Sequence, residues 1–168
     1  MVGKHHDIVA QTKRYKGEQH SFFLDLASWK KFKTKYALSW TKIRFESAGH
    51  PSIPKERGIY AFSVELSPGK LPAHGYIMYV GITGQDSDAN LYRRYAQYLV
   101  DQRDQNGRPA VTYMLSNWDG DLFFNYVSLP NKKVDLHKME KALLNAVRPP
   151  VNKRDLDATI SAPRAAIF

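Results

Sequence analysis

Arg94 and Tyr98 stand four residues apart in LYRRYAQYL, and Glu140 stands among the apolar positions of KMEKALLNAV. On a helix, side chains at that separation project together. A guanidinium clamps a phosphate with two parallel hydrogen bonds, and a phenol beside it adds another. The same pair also suits a surface arginine next to a core tyrosine. Glu140 is one turn from Leu136 and one turn from Leu144, at the edge of the stripe made by Leu136, Met139, Leu143, Leu144 and Val147. A lone carboxylate there is costly unless something compensates it. A divalent cation does so, because Mg²⁺ is commonly held by one carboxylate, several waters and a substrate phosphate. The plainer alternative is a partly exposed carboxylate with Lys138 and Lys141 for neighbours. Two further tyrosines, Tyr60 in GIY and Tyr79 in YVG, each stand close to a glycine.

These residues need a frame. Residues 57–66 (RGIYAFSVEL) alternate, with Tyr60, Phe62, Val64 and Leu66 on one face of a strand. Residues 76–82 (YIMYVGI) are apolar nearly throughout, as a central strand would be. A loop over 67–75 (SPGKLPAHG) joins the two. The polar stretch 84–90 (GQDSDAN) offers helix caps, and the next helix is predicted over about 91–104. QNGRP at 105–109 breaks it. A third strand is predicted over 121–129 (DLFFNYVSL), then a helix over about 134–148 that Arg148-Pro149-Pro150 ends. Ahead of all this, residues 22–46 read as largely helical, because Trp29, Phe32, Tyr36 and Trp40 recur at intervals of three and four. That aromatic stripe is expected to pack on the core. Lys30, Lys31, Lys33 and Lys35 interleave with it and, with Arg93, are candidates for contact with a nucleic-acid backbone. Residues 47–56 form a loop with two prolines.

Composition narrows the classes. The chain has 168 residues, 43% hydrophobic and 12% aromatic, enough for one domain with a real core and unlike a disordered chain. No cysteine is present, which excludes disulfides, cysteine nucleophiles and cysteine-based zinc fingers. The net charge of +9 favours a polyanionic partner, since lysine and arginine neutralise phosphates and release counterions. No run approaches the roughly 18–20 apolar residues of a membrane span, and the segment MVGKHHDIVAQTKRYKG lacks the apolar stretch of a secretory leader. A cytoplasmic protein with no membrane partner is therefore expected. His5, His6 and Asp7 read as solvated residues of a basic tail.

Taken in order, GIY, YVG, Arg94, Tyr98, Glu140, Pro149 and Asn152 resemble the GIY-YIG nuclease family. Glu140, Pro149 and Asn152 follow one another at nine and then three positions, much as in bacterial excision-repair members. The resemblance covers residues 57–154. It implies a small α/β (α+β) domain, a three-stranded antiparallel sheet flanked by helices, with the two tyrosine strands as neighbours. The expected layout is then a basic tail over 1–21, an N-terminal helical extension and loop over 22–56, the nuclease domain over 57–154, and a C-terminal tail over 155–168.

The resemblance also implies an endonuclease that hydrolyses DNA with one Mg²⁺ or Mn²⁺ ion. Glu140 would ligate the metal and Arg94 would stabilise developing charge. Tyr60 would be the general base for water, helped by nearby positive charge because a phenol near pKa 10 is otherwise a poor base. Tyr79 and Tyr98 would orient water or phosphate oxygens, and Asn152 would fix local geometry. Two departures stand out. Ala61 to Met78 make a longer connection than the family usually has, and Val80 replaces an isoleucine. His74 is the nearest candidate for a polar residue that the family often carries near the start of the second strand. Restriction, mobile-element and repair roles all fit. So do two other readings, a non-catalytic nucleic-acid-binding module that kept the fold and a nuclease acting on RNA.

Overall fold

A computed structural model describes residues 25–66, 72, 74–118 and 120–152. The two tails, His5, His6, Asp7 and most of the 67–75 loop lie outside those residues. In chain order the elements are α1 (Leu26–Lys31), β1 (Thr41–Arg44), a 3₁₀ turn (Ser47–Ser52), β2 (Gly58–Leu66), β3 (His74–Thr83), α2 (Leu91–Asp104), α3 (Pro109–Asn117), β4 (Leu122–Ser128) and α4 (Leu136–Val147). Among the described residues no helix is long and apolar enough to cross a membrane.

The two tyrosine strands pair antiparallel, with Tyr60 opposite Gly81 and Phe62 opposite Tyr79. β4 pairs on the other side of β2, and β1 pairs with β4. The sheet therefore has four strands in the order β1-β4-β2-β3, which corrects the expected three. The added strand comes from inside the stretch read as a helix. Asp25 caps α1 by accepting from the Ser28 N–H at 3.0 Å, but the helix ends after Lys31. Thr41 and Ile43, β-branched and suited to a pleated surface, then lie along β4, and Phe45 follows them into the core. The aromatic stripe does not form one buried face: Trp29 is 52% and Trp40 41% exposed, while Phe32 and Tyr36 alone of the four pack against the core. Spacing of three and four carried no information here, because the chain is not helical across it.

Alternation along β2 divides the core into two layers. Tyr60, Phe62 and Val64 face α2 and α3, packing with Tyr95, Tyr98, Met114 and Leu115. Ile59 and Ala61 face α4, packing with Leu136, Met139, Leu143 and Leu144. α3 was not foreseen. Pro109 breaks α2 and also opens this helix, at the first-turn position where a missing N–H costs nothing. The pairing of β2 with β3 skips from Phe62–Tyr79 to Ser63–Ile77 and leaves Met78 as an extra residue. This bulge sets both Met78 and Tyr79 against the α2–α3 layer.

Candidate active site

α2 begins at Asn90, whose side chain accepts from the Arg93 N–H at 2.9 Å. Leu91, Tyr95 and Tyr98 are its buried positions, spaced so that all three face the sheet. Tyr98 thereby lies over β2, and its hydroxyl hydrogen-bonds the Tyr60 hydroxyl at 2.8 Å. Tyr79 completes the group, with its ring 6.2 Å from that of Tyr60 and 6.4 Å from that of Tyr98. All three tyrosines are buried.

The glycines of the two motifs have steric causes. A Cβ on Gly81 would stand 2.5 Å from the Tyr60 hydroxyl oxygen, so the phenol occupies space that only glycine leaves. A Cβ on Gly58 would stand 2.1 Å from the Val127 carbonyl oxygen of the next strand. Sheet pairing thus forbids a side chain at Gly58, and the tyrosine cluster forbids one at Gly81.

Charge at the cluster comes from α2 and α3. Burial pushes the Tyr60 phenol well above its ordinary pKa, and the Tyr79 phenol adds to the rise. Arg94 pulls the other way but does not reverse it. Tyr98 is raised too, by burial first and then by Tyr60. In the free protein Tyr60 is therefore fully protonated at neutral pH, which is the opposite of the lowered pKa a general base needs. Arg94 Nε is buried and has no hydrogen-bond partner among the described residues. A charged donor left so is costly, and the rest of the guanidinium, on a half-buried residue, is the part an anion could clamp.

Arg108 belongs to the same site and was not singled out in the sequence. It stands at the N-cap of α3 and donates from Nη2 to the Tyr79 hydroxyl at 2.5 Å, with its guanidinium 5.4 Å from the Tyr79 ring centre. The one sequence signal was a cation at a helix start, where the macrodipole disfavours it.

Asn152 has a structural place. Its Oδ1 accepts from the Val80 N–H and its Nδ2 donates to the Val80 carbonyl, both at 2.9 Å. β3 is an edge strand, and with the Val151 N–H donating to the Met78 carbonyl this closes its open side beside Tyr79. Glu140 is partly buried on α4, the helix on the opposite face of the sheet from the tyrosines. α4 packs mainly against β3, and the chain leaving it is the segment that lines the β3 edge.

Among the described residues no three histidine, cysteine, aspartate or glutamate side chains converge. A single carboxylate suits a hard, largely hydrated ion such as Mg²⁺ or Mn²⁺ and does not suit a tetrahedral zinc site.

The remaining candidates divide between the layers. Arg93 is exposed on α2, beside Arg94. Lys30 and Lys31 in the last turn of α1, and Lys33 and Lys35 after it, are exposed on the α4 side. His74 is exposed at the start of β3 and pairs with the Tyr76 hydroxyl, away from the cluster. No family model, curated protein or solved structure matches the chain.

Proposed function

We propose that the chain is a metal-dependent endonuclease that hydrolyses DNA phosphodiester bonds at a GIY-YIG-type site. The observation that carries this reading is Arg94: a guanidinium with a buried nitrogen that has no partner among the described residues, close enough to Tyr60 to act on its pKa. A phosphodiester oxygen is the anion that fits it, and the chain's net charge of +9 suits a polyanion.

Arg94 binds the scissile phosphate and holds the negative charge that builds on it during attack. Arg108 donates to the Tyr79 oxygen and fixes that phenol beside Tyr60 and Tyr98, where it orients a phosphate oxygen or the water. The Tyr98 hydroxyl donates to the Tyr60 oxygen, which favours the phenolate that must take the proton of the attacking water. Tyr60 is the proton acceptor in this reading. Burial opposes that role, so the bound state must draw its pKa down, with Arg94 already acting in that direction. Glu140 would hold a Mg²⁺ or Mn²⁺ ion, which would supply neutralising charge to the phosphate, although α4 carries Glu140 on the face of the sheet opposite Arg94 and the tyrosines. Asn152 holds β3 in place and takes no part in bond making.

Supercoiled plasmid with Mg²⁺ tests the reading. Wild type should nick or linearise it, and Arg94→Ala and Glu140→Ala should not. Absence of cleavage by wild type on plasmid, flap and junction DNA would overturn it, and cleavage confined to RNA would replace DNA as the substrate.

A further inference from the structure

A cleft of about 330 Å³ opens between residues 32–36 and the start of α4, on the face of the sheet opposite the tyrosines. Lys33 and Lys35 line one wall, and Lys133 and Lys138 line the other. All four are exposed, Lys138 at 87% of its side chain. One acid, Asp135, shares the cleft: it caps α4 by accepting from the Lys138 N–H at 3.0 Å, which holds its carboxyl ionised, and it pairs with Lys138 Nζ at 3.7 Å, so the charges of Lys33, Lys35 and Lys133 are left in excess. The cleft therefore presents a strong excess of positive charge.

We infer that this cleft is a second nucleic-acid contact, which grips duplex DNA backbone away from the phosphate being cut. The lysines favour a polymer over a small anion. A small-ligand site orients its guest with a few buried polar groups in a mostly apolar pocket. Here the charges are hydrated ammoniums on flexible stems, which track a phosphate backbone without fixing any one phosphate. Met139 and Ala142 give the floor an apolar surface on which lysine stems can lie. The position on α4 separates this contact from the catalytic one. Lys138 and Glu140 are two residues apart, so they project from nearly opposite sides of the helix. The choice of DNA rests on the nuclease reading, whereas the cleft's affinity for backbone phosphate does not.

Binding of a short labelled DNA duplex, followed by anisotropy across a NaCl series in EDTA, tests the cleft without cleavage. Lys33→Ala/Lys133→Ala should weaken binding about tenfold at low salt and reduce the slope of log affinity against log salt by about two. Lys33→Arg/Lys133→Arg should keep both at the wild-type value. Lys42→Ala/Lys132→Ala, which removes equal charge outside the cleft, should change the slope by well under half as much. Equal losses in the cleft and control variants would overturn the cleft while leaving plasmid cleavage by wild type to stand for the nuclease. A cleft-dependent loss on an RNA duplex but not on DNA would overturn the DNA assignment.

Discussion

Gly81 is where a residue's size decides whether the tyrosine cluster exists. The Tyr60 phenol fills the space a Cβ would need, so Gly81→Ala must push the ring aside. We expect a loss of about 1–3 kcal/mol, as for other overpacked sites, and loss of plasmid cleavage well before loss of fold. Urea unfolding together with the cleavage assay separates the two. Unchanged activity in a folded Gly81→Ala protein would remove Tyr60 from the site. Asn152 poses the opposite case, a polar side chain whose value is in its two bonds to Val80. Asn152→Ala should cost about 2 kcal/mol, because both groups of Val80 lose a buried partner. Hydrogen exchange should report faster opening along β3, and an unaltered β3 would show that the edge is held by other contacts.

At the scale of elements, the frame around the site depends on one arginine that the sequence did not advertise. Arg57, just before β2, donates to the Gly84 carbonyl at 3.0 Å, the Gln85 Oε1 at 2.6 Å, the Asn131 carbonyl at 2.7 Å and the Val134 carbonyl at 3.1 Å. Gln85 Oε1 in turn accepts from the Leu136 N–H at the start of α4. The end of β3, the end of the β4–α4 connection and the first turn of α4 are thus joined through one planar fork. Arg57→Ala should cost about 2–3 kcal/mol from the stranded carbonyls, and Arg57→Lys should recover little, because an ammonium cannot reproduce the fork. Exchange of the first amides of α4 is the measurement. Protection equal to wild type in Arg57→Ala would mean that Gln85 and the Asp135 cap suffice. The helix α2 was legible from its cap and its apolar spacing. The strand β1 was not, because its four residues make sense only beside β4.

For the whole molecule, burial of Tyr60 and Tyr98 between the sheet and α2 links folding to alkaline pH. Tyr60 and Tyr98 have folded pKa values above the ordinary one, so the native state keeps their protons when the unfolded chain would lose them. Their contribution is complete below the unfolded value, and stability falls once pH rises above about 10. The urea midpoint should drop through that range, and Tyr60→Phe should flatten the drop. A midpoint indifferent to pH there, in wild type, would mean that the hydroxyls reach solvent in the folded protein. The same burial explains why the sequence expectation for Tyr60 met resistance: a phenol packed well enough to be positioned is also a phenol held neutral.

The sequence by itself determined what local rules govern. Alternation defined β2, cap and spacing defined α2, and proline defined the end of α4, because each depends on neighbours along the chain. It also named Tyr60, Tyr79 and Tyr98, which the fold brings into one cluster. Tertiary structure alone decided the fourth strand, the hold of Arg108 on Tyr79, the fork of Arg57 and the meeting of Lys33 and Lys35 with Lys133 and Lys138. Each of these joins residues far apart in the chain, and strand pairing, hydrogen bonding and charge convergence between them exist only once the backbone has closed around the core.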